Sequence, residues 1–171
     1  MVEEVYLGLG SNLGNRLDTL KKALGLLSGI VDNLRCSRVY ETLPRDNTDQ
    51  GNFLNLVACG IPTLEPESLL DQCLEIEKQL GRKRDSSVKK GPRSCDIDIL
   101  LFGNRTIQSP KLSIPHPRIL QRAFVLIPLL DLSPELVHPK TGLPLSDALD
   151  QVQGQGVYYH SLEGYNFYSG I

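Results

Sequence analysis

Two aspartates stand at the start of an apolar segment of this chain. Asp96 and Asp98 flank one isoleucine and run directly into the apolar residues 99–102, a pattern that predicts a buried strand. Residues i and i+2 of a strand point to the same side of a sheet, so the two carboxylates would face one site. Such neighbours repel each other unless a cation lies between them, and Mg²⁺ is the expected ion. The spacing therefore predicts a divalent-cation site.

The segment just before these acids is strongly basic. Its cationic side chains, set against the single acid Asp85, are Arg82, Lys83, Arg84, Lys89, Lys90 and Arg93. Acids that bind metal and arginines that bind phosphate are what phosphoryl transfer requires, because that chemistry depends mostly on positioning and charge neutralisation. The residues alone leave a second interpretation open, in which the basic run is a solvated surface and the acids only form ion pairs with arginines.

The whole chain fits one globular domain. It has 171 residues, 40% hydrophobic and 22% charged, and no apolar run reaches the roughly 20 residues that cross a bilayer. We therefore expect a soluble protein, and a monomer. The N-terminus shows no secretory signal, so the cytoplasm is the expected location. A net charge of −2 argues against a general nucleic-acid binder and favours a small, highly charged ligand. The cysteines lack C-x-x-C spacing and are predicted to be reduced core thiols: Cys36, Cys59, Cys73 and Cys95.

The elements that must position these groups follow a recognisable order. Hydrophobic periodicity predicts helices over 15–27 and 66–80, the first with Asn15 and Asp18 as its start signal. The predicted strands are 5–10, 34–42, 53–61 and 96–102, with a long polar loop over 43–52. This β-α-β-β-α-β order predicts an α+β, ferredoxin-like fold, an antiparallel sheet with helices on one face.

C-terminal additions follow this core. They comprise an apolar segment over 119–132 and a weak helix over 145–152. We therefore expect a domain over 1–152 and a C-terminal extension of unknown role over 153–171, which holds half of the aromatic residues.

Several short motifs resemble those of the 6-hydroxymethyl-7,8-dihydropterin pyrophosphokinase family, in family order over about residues 5–150. They are Leu9-Gly10-Ser11-Asn12, Tyr40-Glu41-Thr42, Phe53-Leu54-Asn55, Lys89-x-Gly91-Pro92-Arg93-x-x-Asp96-Ile97-Asp98, Ile114-Pro115-His116-Pro117-Arg118 and Arg122-Ala123-Phe124. The resemblance implies transfer of the terminal diphosphate of ATP to the hydroxymethyl group of a reduced pterin. AMP is released, two Mg²⁺ ions take part, and the product enters folate biosynthesis.

The resemblance also implies roles for single residues. Asp96 and Asp98 would hold the metals, and Arg82 and Arg93 would be catalytic. The implied ATP contacts are Arg82, Arg84, Arg93, Ile99, His116 and Arg122. The implied pterin contacts are Thr42, Leu43, Phe53, Asn55 and Phe124, with the two phenylalanines stacking on the ring.

Two other functional classes share parts of this pattern. RNA-binding modules have the same element order, but their K/R-G-F/Y motif is absent from the sequence. A metal-dependent phosphohydrolase or nuclease could use Asp96 and Asp98 with water as the acceptor and would need no pterin pocket.

Overall fold

The computed structural model of the protein describes residues 2–43, 51–81 and 94–160. Its strands are β1 (Val5–Ser11), β2 (Val31–Cys36), β3 (Tyr40–Thr42), β4 (Phe53–Pro62), β5 (Asp96–Phe102), β6 (Ile107–Gln108), β7 (Ser113–Ile114) and β8 (Val157–Tyr159). Its α-helices are α1 (Arg16–Leu27), α2 (Pro66–Gln79) and α3 (Ala123–Leu132), and a 3₁₀ helix spans Leu145–Val152.

The main sheet is antiparallel and has the strand order β5-β1-β4-β3-β8, with β2 also paired to β4. Helices α1 and α2 cover one face, where Leu20 and Leu24 pack with Leu7 and Leu9 of β1. The predicted ferredoxin-like α+β core is confirmed.

The C-terminal additions cover the opposite face of the sheet. Leu126 and Leu129 of α3 pack there with Tyr6 of β1 and Val57 of β4. Beyond the predicted domain boundary, β8 pairs with β3 and becomes the outermost strand on that side. The sheet is therefore buried on both faces, which explains why its central strands are almost continuously apolar.

Local signals explain where the first helix begins and where one predicted strand breaks. Asn15 Oδ1 accepts a hydrogen bond from the backbone N–H of Asp18 at 3.1 Å, the predicted cap of α1. The predicted strand over 34–42 was wrong as a single element. The strand is interrupted at Ser37. The Oγ of this residue accepts a hydrogen bond from the backbone N–H of Val57 at 2.9 Å, so this N–H is paired with a side chain and not with a backbone carbonyl.

None of the four cysteines forms a disulfide bond, and Cys59, Cys73 and Cys95 are buried. Burial raises the pKa of Cys36 and Cys59 to about 11 and that of Cys73 to about 12, so these thiols stay protonated at neutral pH. The predicted core placement is confirmed for Cys59, Cys73 and Cys95, whereas Cys36 is only partly buried. In the three described ranges, no helix is both long enough and apolar enough to cross a membrane.

Candidate active site

The predicted site residues of three strands meet on the sheet face that α3 partly covers. Asp96 of β5 lies opposite Gly10 of β1, which lies opposite Asn55 of β4, and Asp98 lies opposite Gly8. Directly paired residues of an antiparallel sheet point to the same side. The two carboxylates and the Asn55 amide therefore share one face, separated by a strand that presents glycines there.

The carboxylate pair suits a hydrated divalent cation. Asp96 is half-buried and Asp98 is exposed, so both can reach a ligand from solvent. Among residues 2–43, 51–81 and 94–160, no three His, Cys, Asp or Glu side chains form a ready-made metal site. Mg²⁺ commonly takes one or two carboxylates and completes its shell with water and phosphate oxygens. The donor set thus fits Mg²⁺ bound together with a phosphorylated ligand.

A buried carboxylate behind this pair holds the edge of the sheet. Glu77 of α2 is 3% exposed, and its Oε1 accepts a hydrogen bond from the backbone N–H of Ile97 at 2.8 Å. Since Ile97 lies between Asp96 and Asp98, this bond fixes the segment that carries both acids. Sequence reasoning missed Glu77, although its position four residues after Cys73, on the apolar stripe of α2, was a usable signal.

A second group surrounds the Asn55 amide. Asn55 Nδ2 donates a hydrogen bond of 2.7 Å to Thr42 Oγ1, and the two residues are 6% and 4% exposed. A Cβ built on Gly10 would lie 3.6 Å from Phe53 Cδ1, which shows that the Phe53 ring lies beside this glycine. Leu43 is exposed at the end of β3. The structure thus brings together the predicted pterin contacts Thr42, Phe53 and Asn55.

A third group approaches from the segment that leads into α3. The backbone N–H of His116 donates to the carbonyl of Leu100 at 2.9 Å, which holds this residue against β5. Its Nδ1 accepts from the backbone N–H of Arg118 at 3.1 Å, so the neutral ring carries its proton on Nε2. The pKa of His116 is lowered, mainly by burial. The charge of Asp98 opposes this shift, and the charge of Arg122 adds to it. His116 is therefore electrostatically coupled to the predicted metal and triphosphate residues.

Arg122 and Phe124 form a stacked pair at the start of α3. The guanidinium carbon of Arg122 lies 5.4 Å from the centroid of the Phe124 ring. Arg122 was predicted on the ATP side of the site and Phe124 on the pterin side, and this cation–π contact joins the two. One short segment could thus contact both substrates.

Of the other predicted residues that the structure describes, Ile99 does not point to this face. The Ile99 side chain is 3% exposed in the core beneath α1 and α2. Its main chain lies at the edge of the sheet, since β5 is the outermost strand on that side. Any contact between Ile99 and ATP would therefore lie at the strand edge. The remaining predicted positions, Arg82, Arg84 and Arg93, fall outside the described residues.

Curated proteins of known role resemble this chain over most of its length. It is 45% identical over 151 residues to the "Folic acid synthesis protein fol1" of Pneumocystis carinii, a match over 88% of this chain and 20% of that protein. It is 41% identical over 143 residues to the 2-amino-4-hydroxy-6-hydroxymethyldihydropteridine pyrophosphokinase of Aquifex aeolicus, which covers 84% of this chain and 88% of that protein. The chain thus spans about a fifth of its fungal relatives and most of the bacterial one.

The fold has counterparts among solved structures. The HPPK-DHPS crystal structure of Plasmodium falciparum superposes with a TM-score of 0.74 at 17% identity, over 95% of this chain and 50% of that one. At that identity the match establishes the fold alone. Residues 6–134 match the sequence model of one family, so the chain belongs to the 7,8-dihydro-6-hydroxymethylpterin-pyrophosphokinase (HPPK) family.

Proposed function

We propose that the protein transfers the terminal diphosphate of ATP to the hydroxymethyl group of 6-hydroxymethyl-7,8-dihydropterin and releases AMP, as a step of folate biosynthesis. The observation that carries this proposal is the shared sheet face of the Asp96–Asp98 pair and the buried Asn55–Thr42 pair. Family membership supports the same reaction. A hydrolase that uses water as its acceptor would need Asp96 and Asp98 but not the Asn55–Thr42 pair.

Asp96 and Asp98 would hold two Mg²⁺ ions together with the triphosphate. When bound, Mg²⁺ neutralises charge on the phosphate oxygens and favours attack at phosphorus. Arg122, whose charge together with that of Asp98 acts on His116, would supply a permanent positive charge for the polyphosphate, and neutral His116 could donate a hydrogen bond from Nε2 to a phosphate oxygen. Arg82, Arg84 and Arg93 are proposed for the same polyphosphate, with Arg82 and Arg93 acting on the transferring group.

The pterin is a flat ring with an amide-like edge. Phe53 and Phe124 are the proposed stacking groups, while Asn55, Thr42 and Leu43 would line the ring's rim. Because Asn55 and Thr42 hold each other at 2.7 Å, the amide is oriented before the substrate arrives. Pre-orientation of this kind reduces the entropy lost on binding.

The product distinguishes this reaction from hydrolysis. The protein is incubated with Mg²⁺, the pterin alcohol and ATP labelled in its γ-phosphate, and the nucleotide and pterin products are separated by chromatography. We expect AMP and labelled pterin diphosphate in equal amounts, and no turnover once EDTA removes the metal. ADP as the product, or labelled inorganic phosphate without a pterin product, would rule out diphosphate transfer.

A further inference from the structure

A short glycine-flanked segment, Gly154–Gln155–Gly156, links the 3₁₀ helix to β8 beside the candidate active site. The side-chain amide of Gln155 binds backbone on both sides of Arg122. Its Oε1 accepts from the backbone N–H of Ala123 at 2.9 Å, and its Nε2 donates to the carbonyl of Gln121 at 3.1 Å. One side chain therefore holds both peptide units that flank the predicted triphosphate contact.

The start of α3 needs such a partner. The first N–H groups of a helix have no acceptor within the helix, and a side chain at the N-cap position usually supplies one. Arg122 occupies that position in α3 and makes no side-chain cap hydrogen bond. The acceptor for Ala123 comes instead from Gln155, 32 residues further along the chain. A guanidinium has no hydrogen-bond acceptor and cannot cap a helix, and that of Arg122 lies instead over the Phe124 ring.

The backbone around Gln155 is built for this placement. Gly154 has a φ of +81° and Gly156 a φ of +72°, in the left-handed region that favours glycine. The carbonyl of Gly156 accepts from the backbone N–H of Leu43 at 3.4 Å. A Cβ on Gly156 would lie 3.1 Å from Leu43 Cδ1, so the two residues are in close contact. The segment thus joins the end of β3 to the start of α3, the two sides of the proposed pterin pocket.

We infer that Gln155 is a positioning residue for the reaction proposed above, which sets the backbone of Arg122 and Phe124 so that both substrates bind. The inference rests on that proposed function. It also gives a role to part of the chain beyond residue 152, which no motif of the sequence explained. The two hydrogen bonds of Gln155 act on Arg122 and Phe124 through the main chain of Gln121 and Ala123, so its effect should fall on substrate binding.

The test compares three variants in steady-state assays of AMP formation. Gln155→Leu keeps a similar volume and removes both hydrogen bonds, whereas Gln155→Glu keeps the acceptor for Ala123 and loses the donor to Gln121. We expect the KM for ATP and for the pterin to rise about fivefold to tenfold in Gln155→Leu and less in Gln155→Glu, with kcat within about twofold of wild type. The matched control is Gln153→Leu, because Gln153 bonds only Asp150 among the described residues and should keep wild-type constants.

Two further measurements are made on each variant. Urea unfolding gives its stability, and the fluorescence of 6-hydroxymethylpterin reports the binding of this pterin. Wild-type KM values in folded Gln155→Leu would overturn the inference, as would a loss of activity that only follows the folded fraction. If Gln155→Leu fails to fold, Gln155→Glu decides by the same criteria. A wild-type protein that forms no AMP would overturn the proposed function, and this inference with it, whereas an active wild type with unaltered Gln155 variants would overturn the inference alone.

Discussion

Glycine at two positions of β1 decides how closely the reactive side chains can gather. Gly8 and Gly10 face the same side as the carboxylates of Asp96 and Asp98, and a side chain on Gly10 would stand between Asp96 and Asn55, whereas one on Gly8 would meet Leu100. A Cβ on Gly10 would lie only 2.8 Å from Asn55 Oδ1. The absence of side chains here keeps the space between the carboxylates and the amide open for substrates.

The two acids should be dispensable for folding and required for turnover. We expect Asp96→Asn and Asp98→Asn to lower kcat at least about a hundredfold, because each removes one charge that would hold the proposed cation. Their free energy of unfolding should stay within about 0.5 kcal/mol of wild type, since neither side chain is in the core. The measurements are AMP formation and urea unfolding, with exposed Asp147→Asn as the control. Near-normal rates in either variant would refute the metal assignment.

Gly10→Ala should damage pterin binding more than stability. The new methyl group would push Asn55 away from Gly10 and strain its 2.7 Å bond to Thr42. We expect the KM for the pterin to rise at least about tenfold, with the KM for ATP near wild type. Gly25→Ala is the matched control, because nothing lies within 4 Å of its added Cβ on α1. It should keep both KM values and stabilise the protein by about 0.5–1 kcal/mol. Equal changes in both KM values of Gly10→Ala would contradict this assignment.

A residue of the candidate site could be predicted from the sequence when the residue it acts with lies close to it along the chain. Asp96 and Asp98 are two residues apart in a strand, so their common face could be predicted. Glu77 and Gln155 act on backbone groups 20 and 32 residues away, and no local pattern encodes such contacts. The roles assigned to Arg82, Arg84 and Arg93 stay predictions.

At the scale of elements, one ion pair ties together the segments around the loop after β3. Arg16 Nη1, at the start of α1, donates to Glu41 Oε1 of β3 at 3.0 Å and to the carbonyl of Asn52 at 2.8 Å. His160 Nδ1, just after β8, lies 3.5 Å from Glu41 Oε2. Both ends of the loop between Thr42 and Phe53 are thus anchored to α1, which fixes the strand ends that carry these two predicted pterin contacts.

This anchor should make stability depend on pH in the acidic range. The hydrogen bond from Arg16 lowers the pKa of Glu41 below its ordinary value of 4.5, more than partial burial raises it. A lowered carboxyl pKa stabilises the fold fully above pH 4.5, and that contribution is lost as the pH falls through the folded-state value. We expect Glu41→Gln to cost about 0.5–1 kcal/mol at pH 7, since the pair is partly exposed, and much less near pH 3.

Urea unfolding of wild type and Glu41→Gln between pH 3 and 7 measures this difference. Glu135→Gln is the control, because Glu135 is an exposed acid, and its unfolding profile should stay parallel to that of wild type. A constant gap between Glu41→Gln and wild type at every pH would show that the ionised carboxylate contributes nothing.

Elements with strong local signals were predictable, and the exception has a local cause. Helix α1 begins where its Asn15 cap predicted, and β5 has the predicted bounds because its apolar run is continuous. The break between β2 and β3 was missed, because Ser37 looks like an ordinary strand residue until its hydroxyl binds Val57. Side-chain hydrogen bonds to distant backbone are visible only once the chain is folded.

At the scale of the whole molecule, one sheet separates two hydrophobic cores. Successive residues of a strand alternate between faces, so Leu7 and Leu9 of β1 contribute to the core beneath α1 and α2, while Tyr6 contributes to the core beneath α3. Strand β4 divides in the same way between Leu56 and Val57. The face that carries the acids is therefore shaped by packing on both sides of the sheet.

Because the two cores share their central strands, they should unfold together. Leu24 of α1 and Leu129 of α3 are both fully buried, one in each core. We expect Leu24→Ala and Leu129→Ala each to lower the free energy of unfolding by about 2–5 kcal/mol, in a single transition. Circular dichroism and tyrosine fluorescence should report the same midpoint. If Leu129→Ala instead released α3 in a separate, earlier transition while amides of α1 stayed protected from hydrogen exchange, the C-terminal layer would be an independent unit, and the start of α3 would be free to move without unfolding the sheet.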